Sequence, residues 1–231
     1  MSPHPGDSGS RPYGRRAFLA ATALGLTSLA WGRPAWHAVS GATSPLTDAL
    51  PQSLVPSSGW RIYTVAASMP RFDPATWRLH VDGLVDAPRS LSYDDLRALP
   101  RAEQVSTFHC VTGWSVKNVR WAGVRLSTLL DTVEAQPAAR VLTVISAEKP
   151  YVDTLTIEQA RLHDVMLAYE MDGRPLPRVH GAPARLVIPE MYGYKNVKWV
   201  ERITLGRSAD PGYWEQRGYD TDAWVGGSNG L

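Results

Sequence analysis

The sequence of 231 residues predicts an α+β domain with a mixed, mostly antiparallel sheet and short helices. Three observations predict it. Apolar and polar residues alternate in strand-length runs, short capped helices fall between those runs, and the regular strand–helix alternation of a doubly wound parallel sheet is missing.

The elements follow in order. "TWRLHVDGLV" alternates Trp77, Leu79 and Val81 against Arg78, His80 and Asp82, a half-buried strand that runs into a turn at Asp82 and Gly83. "LSYDDLRALP" reads as a short helix with Ser92 as cap, Asp95 in the box position and Pro100 as the stop. "EQVSTFHC" is a strand, and "GVRLSTLLDTV" a helix presenting Leu126, Leu129, Leu130 and Val133. "RVLTVIS" reads as a buried strand and "LTIEQARL" as a helix capped by Thr156 with Gln159 in the box. "VMLAYEMDGRPLP" is a strand, a tight Asp172-Gly173 turn and the start of another strand; "ARLVIP" and "VKWVERITL" complete the set.

The N-terminus carries a different message. "GRRAFLA" leads into an apolar run over residues 17–31, the profile of an export signal and too short for a comfortable bilayer crossing of roughly 20 residues. Arg15 and Arg16 before Phe18 and Leu19 resemble a twin-arginine signal, a route understood to move folded, often cofactor-loaded proteins. Small residues at Ser40 and Ala42 suit cleavage, so residues 1–42 are expected to be signal and linker, and residues 43–231 one domain. A net charge of +2 does not point to nucleic acid.

There is one cysteine, Cys110, in "FHCVTGWS". An exported chain with a single thiol has no intrachain disulfide, and clusters or haems that need several cysteines are excluded. Cys110 follows a predicted strand and precedes the turn Val111-Thr112-Gly113, where scaffolds present functional groups. Three roles stand open. It is a small buried apolar residue, a nucleophile, or a soft ligand. The nucleophile needs a base, and the adjacent His109 points to the other strand face. A zinc site needs three or four protein ligands, and no His/Cys cluster has that spacing. A metal held by one thiolate must bring its other ligands with it.

A second stretch, "HGAPARLVIPEMYGYKNVKW", gathers His180, Arg185, Lys195, Asn196 and Lys198 among small residues. Glycines admit close backbone approach, and Arg and Lys beside amides suit a phosphate; a polar surface loop would have the same composition. No nucleotide fingerprint is present.

"FHCVTGWS…VRWAGVRLSTLL" followed by "HGAPARLVIPEMYGYKNVKW", with Cys110 and His180 70 residues apart, resembles the molybdopterin-binding domain of the sulfite oxidase superfamily, in particular the catalytic subunit of periplasmic protein-methionine-sulfoxide reductases. The likeness covers residues 63–205 and reaches "PGYWEQRGYD" more loosely. It implies the sulfite-oxidase-type molybdopterin-binding fold and an oxidoreductase carrying molybdenum-molybdopterin. Cys110 then matches the metal-ligating, catalytic cysteine. His180 and Arg185 match cofactor-holding positions, although the methionine-sulfoxide reductases have Asn in place of His180. Asn196, Val197 and Lys198 match the segment around the pterin phosphate, Tyr63 and Thr64 the pair that closes over the pterin, and Ser146 a further contact.

Two departures bear on the substrate. Sulfite oxidases follow their cysteine with Ala-Gly-Asn-Arg, whose arginine helps bind sulfite; here Val111-Thr112-Gly113-Trp114-Ser115 lacks it. The reductases have Glu-Ala-Trp-Ser, of which Trp114 and Ser115 are shared and the acid is not. About 25 residues follow "ERITL", so the appended immunoglobulin-like dimerisation domain is not expected. The expectation is a monomeric, exported reductase of a small or protein-bound S-oxide or N-oxide, fed by a separate redox partner such as a membrane cytochrome or quinol-linked protein. A sulfite-type dehydrogenase and a non-catalytic pterin- or anion-binding module are the alternatives. Tyr192, Tyr194, Trp114 and Trp199 are candidates for the substrate mouth or for the core.

Overall fold

In the computed structural model the described residues are 59–226, within one compact unit, Ser57–Leu231. The predicted export signal lies outside them. Among them no helix is long and apolar enough to cross a membrane.

Among the described residues ten strands form two sheets. The first has the order β2 (Arg89–Leu91), β1 (Leu79–Gly83), β10 (Val200–Gly206), β5 (Val141–Ser146), β6 (Val152–Thr156). The second runs β3 (Arg101–His109), β4 (Ser115–Arg125), β7 (Met166–Met171), β8 (Arg174–Pro175), with β9 (Arg185–Val187) also on β7. β1 pairs with β10 in parallel, and the other pairings are antiparallel. The expected mixed, mostly antiparallel character holds, divided over two sheets.

Local chemistry accounts for most of the elements. In β1, Leu79 and Val81 are fully buried while His80 and Asp82 are half-buried, as the alternation requires. α1 (Tyr93–Ala98) opens on a capping box: Asp95 donates its amide to the Ser92 hydroxyl, and the Asp95 carboxylate accepts the Ser92 amide. α3 (Ile157–Ala160), a single turn, repeats the device with Thr156 and Gln159. α2 (Leu126–Thr132) buries Leu126, Leu129 and Leu130. Asp172 and Gly173 take φ +52° and +75°, the left-handed pair that joins β7 to β8.

Three strands, β2, β4 and β6, have no counterpart in the sequence reading; β2 is a three-residue strand lying just before the α1 cap. β6 precedes the helix into which its last residues were read. β4 extends through Gly123-Val124-Arg125, which the pattern assigns to the start of α2. In β4 the run Trp121-Ala122-Gly123-Val124 is buried on both faces, so there is no alternation to detect. Gly123 marks a register shift against β7, where a Cβ would stand 2.1 Å from the Leu167 carbonyl oxygen.

Both sheets feed one cleft. The end of β3 supplies Cys110, the turn after β5 supplies Glu148 and Tyr151, and β9 with its flanking loops supplies His180, Arg185, Gly193, Tyr194, Asn196 and Lys198. The residue-193 loop is docked on β3 by the Gly193 amide, which donates to the His109 carbonyl at 2.7 Å. A Cβ on Gly193 would lie 2.3 Å from the Phe108 ring. Gly193→Ala is therefore expected to lower stability by about 1–3 kcal/mol through overpacking. It should also change the rate at which a thiol reagent labels Cys110 in the cofactor-free protein; equal melting temperature and equal labelling would contradict this docking.

Candidate active site

β3 ends at His109, and the chain reverses within four residues. The Cys110 amide donates to the Trp114 carbonyl at 2.8 Å, and the Gly113 amide to the Cys110 carbonyl at 3.1 Å, with Gly113 at φ +89°. This turn leaves the thiol half-buried on the wall of a cleft of about 310 Å³, with Sγ 3.2 Å from the Thr112 hydroxyl. His109 does not line the cleft, and among the described residues no imidazole is bonded to the thiol. The nucleophile role thus has no base. Nor do three or more His, Cys, Asp or Glu side chains converge on a metal position among the described residues.

The cleft carries concentrated positive charge. Arg185, 3% exposed, donates to the carbonyls of His180 (3.1 Å), Asn196 and Leu186 (3.4 Å each), and its guanidinium packs over Phe108 and Trp121. It makes no salt bridge among the described residues. Burial pushes it down to about 10. Lys198 donates to the Tyr63 carbonyl at 2.6 Å and sits 4.1 Å from the centre of the Trp199 ring. Burial, then the charge of Arg185, hold it down to about 7. His180 lies edge-on to Trp60, and burial, Arg185 and Lys198 press it down to about 3, so the imidazole is neutral. A buried cation with no partner costs several kcal/mol. The buried Arg185 with the half-buried Lys198 near it makes an anion site, and a phosphate is the kind of group it would take.

The remaining predicted residues divide. Tyr63, Thr64 and Asn196 line the cleft. The Asn196 side chain accepts the Ile188 amide at 2.8 Å and so fixes its own loop. Ser146 and Val197 do not line the cleft. The Ser146 hydroxyl donates to the Lys198 carbonyl at 2.7 Å and accepts the Glu148 amide at 2.9 Å, and bears on the site through those contacts; Val197 is fully buried in the core. The amides of Asn196 and Val197 already donate to Gly193 and Lys195, leaving the Lys198 amide as the one of the three without an internal partner among the described residues. Of the aromatic candidates Trp114 and Tyr194 line the cleft, whereas Tyr192 and Trp199 pack inward.

Lys195 is the clearest correction to the phosphate-facing set. Its side chain is 2% exposed and turned away from the cleft, donating to Asp153 Oδ1 and the Thr154 carbonyl at 2.9 Å each and to the Glu215 carboxylate. Burial raises Asp153 to about 7, against the pull of Lys195 and with the push of Glu215. Trp199, named above as an aromatic candidate, has a backbone setting the sequence does not signal: φ is +50°, strained for a bulky side chain. Its indole donates to the Arg178 carbonyl, and its amide to Gly181, which hold it there.

The charge state of Lys198 has a measurable sign. In the cofactor-free protein it is protonated below about pH 7 and neutral above. Sulfate, whose charge is constant across this range, is expected to bind best below pH 7 and to weaken by up to about tenfold per unit above it, taking up a proton. Lys198→Arg should flatten that profile. Titration calorimetry in buffers of different ionisation enthalpy reads both quantities, and a flat wild-type profile would remove Lys198 from the anion site.

Residues 66–214 match the family described as oxidoreductase molybdopterin binding domain. The uncharacterized oxidoreductase YuiH of Bacillus subtilis is 36% identical over 154 residues, covering 66% of this chain and 77% of that protein. The protein-methionine-sulfoxide reductase catalytic subunit MsrP of Ralstonia nicotianae is 34% identical over 156 residues, 61% of this chain and 47% of its own length. The sulfane dehydrogenase SoxCD of Paracoccus pantotrophus shares the fold, with a TM-score of 0.58 at 24% identity over 69% of this chain and 50% of that one. With its family match spanning more than half its length, the chain belongs to the molybdopterin-binding oxidoreductases, a family of enzymes that carry the molybdenum cofactor.

Proposed function

We propose that the cleft holds the cofactor with Cys110 as its protein ligand to the metal, and that the enzyme reduces S-oxides or N-oxides. The observation that carries this is a half-buried thiol lining the same cleft as the buried Arg185 and the half-buried Lys198, neither of which makes a salt bridge among the described residues. A pterin phosphate matches the cations, and a dithiolene-held metal needs one soft donor from the protein. When bound, the cofactor supplies a metal that exchanges an oxygen atom and an electron pair with the substrate.

The protein's part is holding and shaping. Arg185 and Lys198 take the phosphate; the neutral His180 offers an uncharged hydrogen bond beside them; Tyr63 and Thr64 cover the pterin. Around Cys110 the wall is Val111, Thr112 and Trp114, with the Tyr63 ring tilted at 37° to Trp114 and its centroid 6.4 Å away. An uncharged, partly aromatic mouth suits a neutral oxide better than a sulfite dianion, and aromatic rings welcome sulfur. The reaction balances as oxide plus two electrons and two protons giving the sulfide or amine and water. The electrons come from a separate redox partner, a reading supported by the description of a relative as a catalytic subunit. We also propose export by the twin-arginine route, with residues 1–42 as signal and linker and residues 43–231 as a single domain.

With reduced viologen as donor, turnover of a methyl sulfoxide or an amine oxide is expected to exceed sulfite oxidation with an artificial acceptor. Cys110→Ser should fold, keep the pterin, lose turnover and change the paramagnetic signal of the half-reduced metal. Near wild-type turnover with an unchanged signal would falsify the ligand role, and faster sulfite turnover would reverse the substrate.

Replacing Arg15 and Arg16 together by Lys is expected to leave precursor in the cytoplasm. Normal export of that double variant would sink the twin-arginine assignment.

A further inference from the structure

Among the described residues Glu148 is the one carboxylate on the cleft lining, and the roles given above leave it unused. It is 3% exposed and rigidly mounted. Its amide donates to the Ser146 hydroxyl at 2.9 Å, and its carbonyl accepts the Tyr151 amide at 2.8 Å. The obvious partner would be Lys198, yet no salt bridge joins them among the described residues. Instead Oε1 accepts the amides of Val65 and Ala66, at 2.9 and 3.3 Å.

Those amides belong to an irregular strap. Residues 60–66 belong to no strand and make no backbone–backbone hydrogen bond among the described residues. Tyr63 and Thr64 in its middle line the cleft, and Tyr63 is 54% exposed on the outside. Two side chains from the cleft fasten it, one on either side of Thr64: Lys198 holds the Tyr63 carbonyl, and Glu148 holds the next two amides. A backbone segment with no ladder of its own depends on such anchors for its position. A carboxylate accepting two amides is the stronger kind, being charge-assisted.

We propose that Glu148 is a positioning residue that keeps the strap of residues 63–66 closed over the cleft and thereby sets how long the cofactor stays bound. The proposal rests on the reading that Tyr63 and Thr64 cover the pterin. It also explains why a carboxylate is tolerated in an anion site. Its charge is engaged by the strap amides, and Lys198 is left for the phosphate.

The test uses the full chain in two forms. In cofactor-free protein, hydrogen exchange at the Val65 and Ala66 amides is measured for wild type, Glu148→Ala and Glu148→Gln. In loaded protein, release of pterin on dilution is followed for the same three. Glu148→Ala is expected to speed exchange at those two amides by about tenfold or more, the size a lost charge-assisted bond implies, with the sheets unchanged, and to speed release by a similar factor. Glu148→Gln keeps the size and an acceptor oxygen, so it should fall between and carries the test if the alanine variant does not fold. Wild-type exchange and release in the variants overturn the proposal, as does fast strap exchange with wild-type release. A wild-type protein that carries no pterin overturns the cofactor reading and this proposal with it.

Discussion

The ammonium of Lys195 joins the parts from which the cleft is made. Asp153 belongs to β6, Lys195 to the loop between β9 and β10, and Glu215 to the C-terminal segment. The neighbours of two of these residues in the chain line the cleft: Tyr194 and Asn196 beside Lys195, and Trp214 beside Glu215. Glu215 adds a bond from the Gly212 amide at 2.7 Å, and Tyr194 reaches the Asp220 carbonyl. Removing one member of a buried ion cluster costs about 3–5 kcal/mol, a large share of the roughly 5–15 kcal/mol by which a domain is stable. The walls are therefore coupled, and none of the three can shift alone. The second carboxylate oxygen of Asp153 has no partner among the described residues, consistent with a cluster that carries more acceptors than donors.

Against that fully paired lysine, Lys198 is its counterpart three residues later. One is sealed in with two carboxylates; the other faces the cleft with a backbone carbonyl and an aromatic ring. The strain of Trp199 lies between this second lysine and β10, and Gly181, at φ +110°, passes so close that a Cβ would be 2.9 Å from Lys198 Cβ. Such settings cost about 1–3 kcal/mol each and persist only where the surroundings over-determine them. Here they aim a cation into a cavity.

What could be read from the sequence was what is local. The two capping boxes, the Asp172-Gly173 turn and the alternation of β1 depend on neighbours in the chain, and the structure has them where the pattern implies. β4 escaped because burial on both faces erases the period of two. Cys110 stood out as a single thiol before a glycine turn, and its place on a cleft wall agrees with that. Lys195 and Lys198 are the same residue type in one short stretch, and only contacts with residues 153 and 215, distant in sequence, send one inward. Glu148 sits in "SAEKP", which has the look of an ordinary charged turn; nothing local reveals that its partners are the amides of residues 65 and 66.

The parallel pairing of β1 with β10 sets an order of events for the chain. His80 stands opposite Arg202, so the first sheet closes only when residues more than a hundred positions apart have met. The cleft spans further still, from Trp60 to Tyr219. Non-local pairing of this kind is slow compared with hairpin closure. A chain still emerging from the ribosome has no Trp214 wall, no Lys195 cluster and no β10, and hence no pocket of the final shape. On the proposed reading of the cleft, cofactor capture is thereby a late event, available only once the chain has been made and folded through Tyr219.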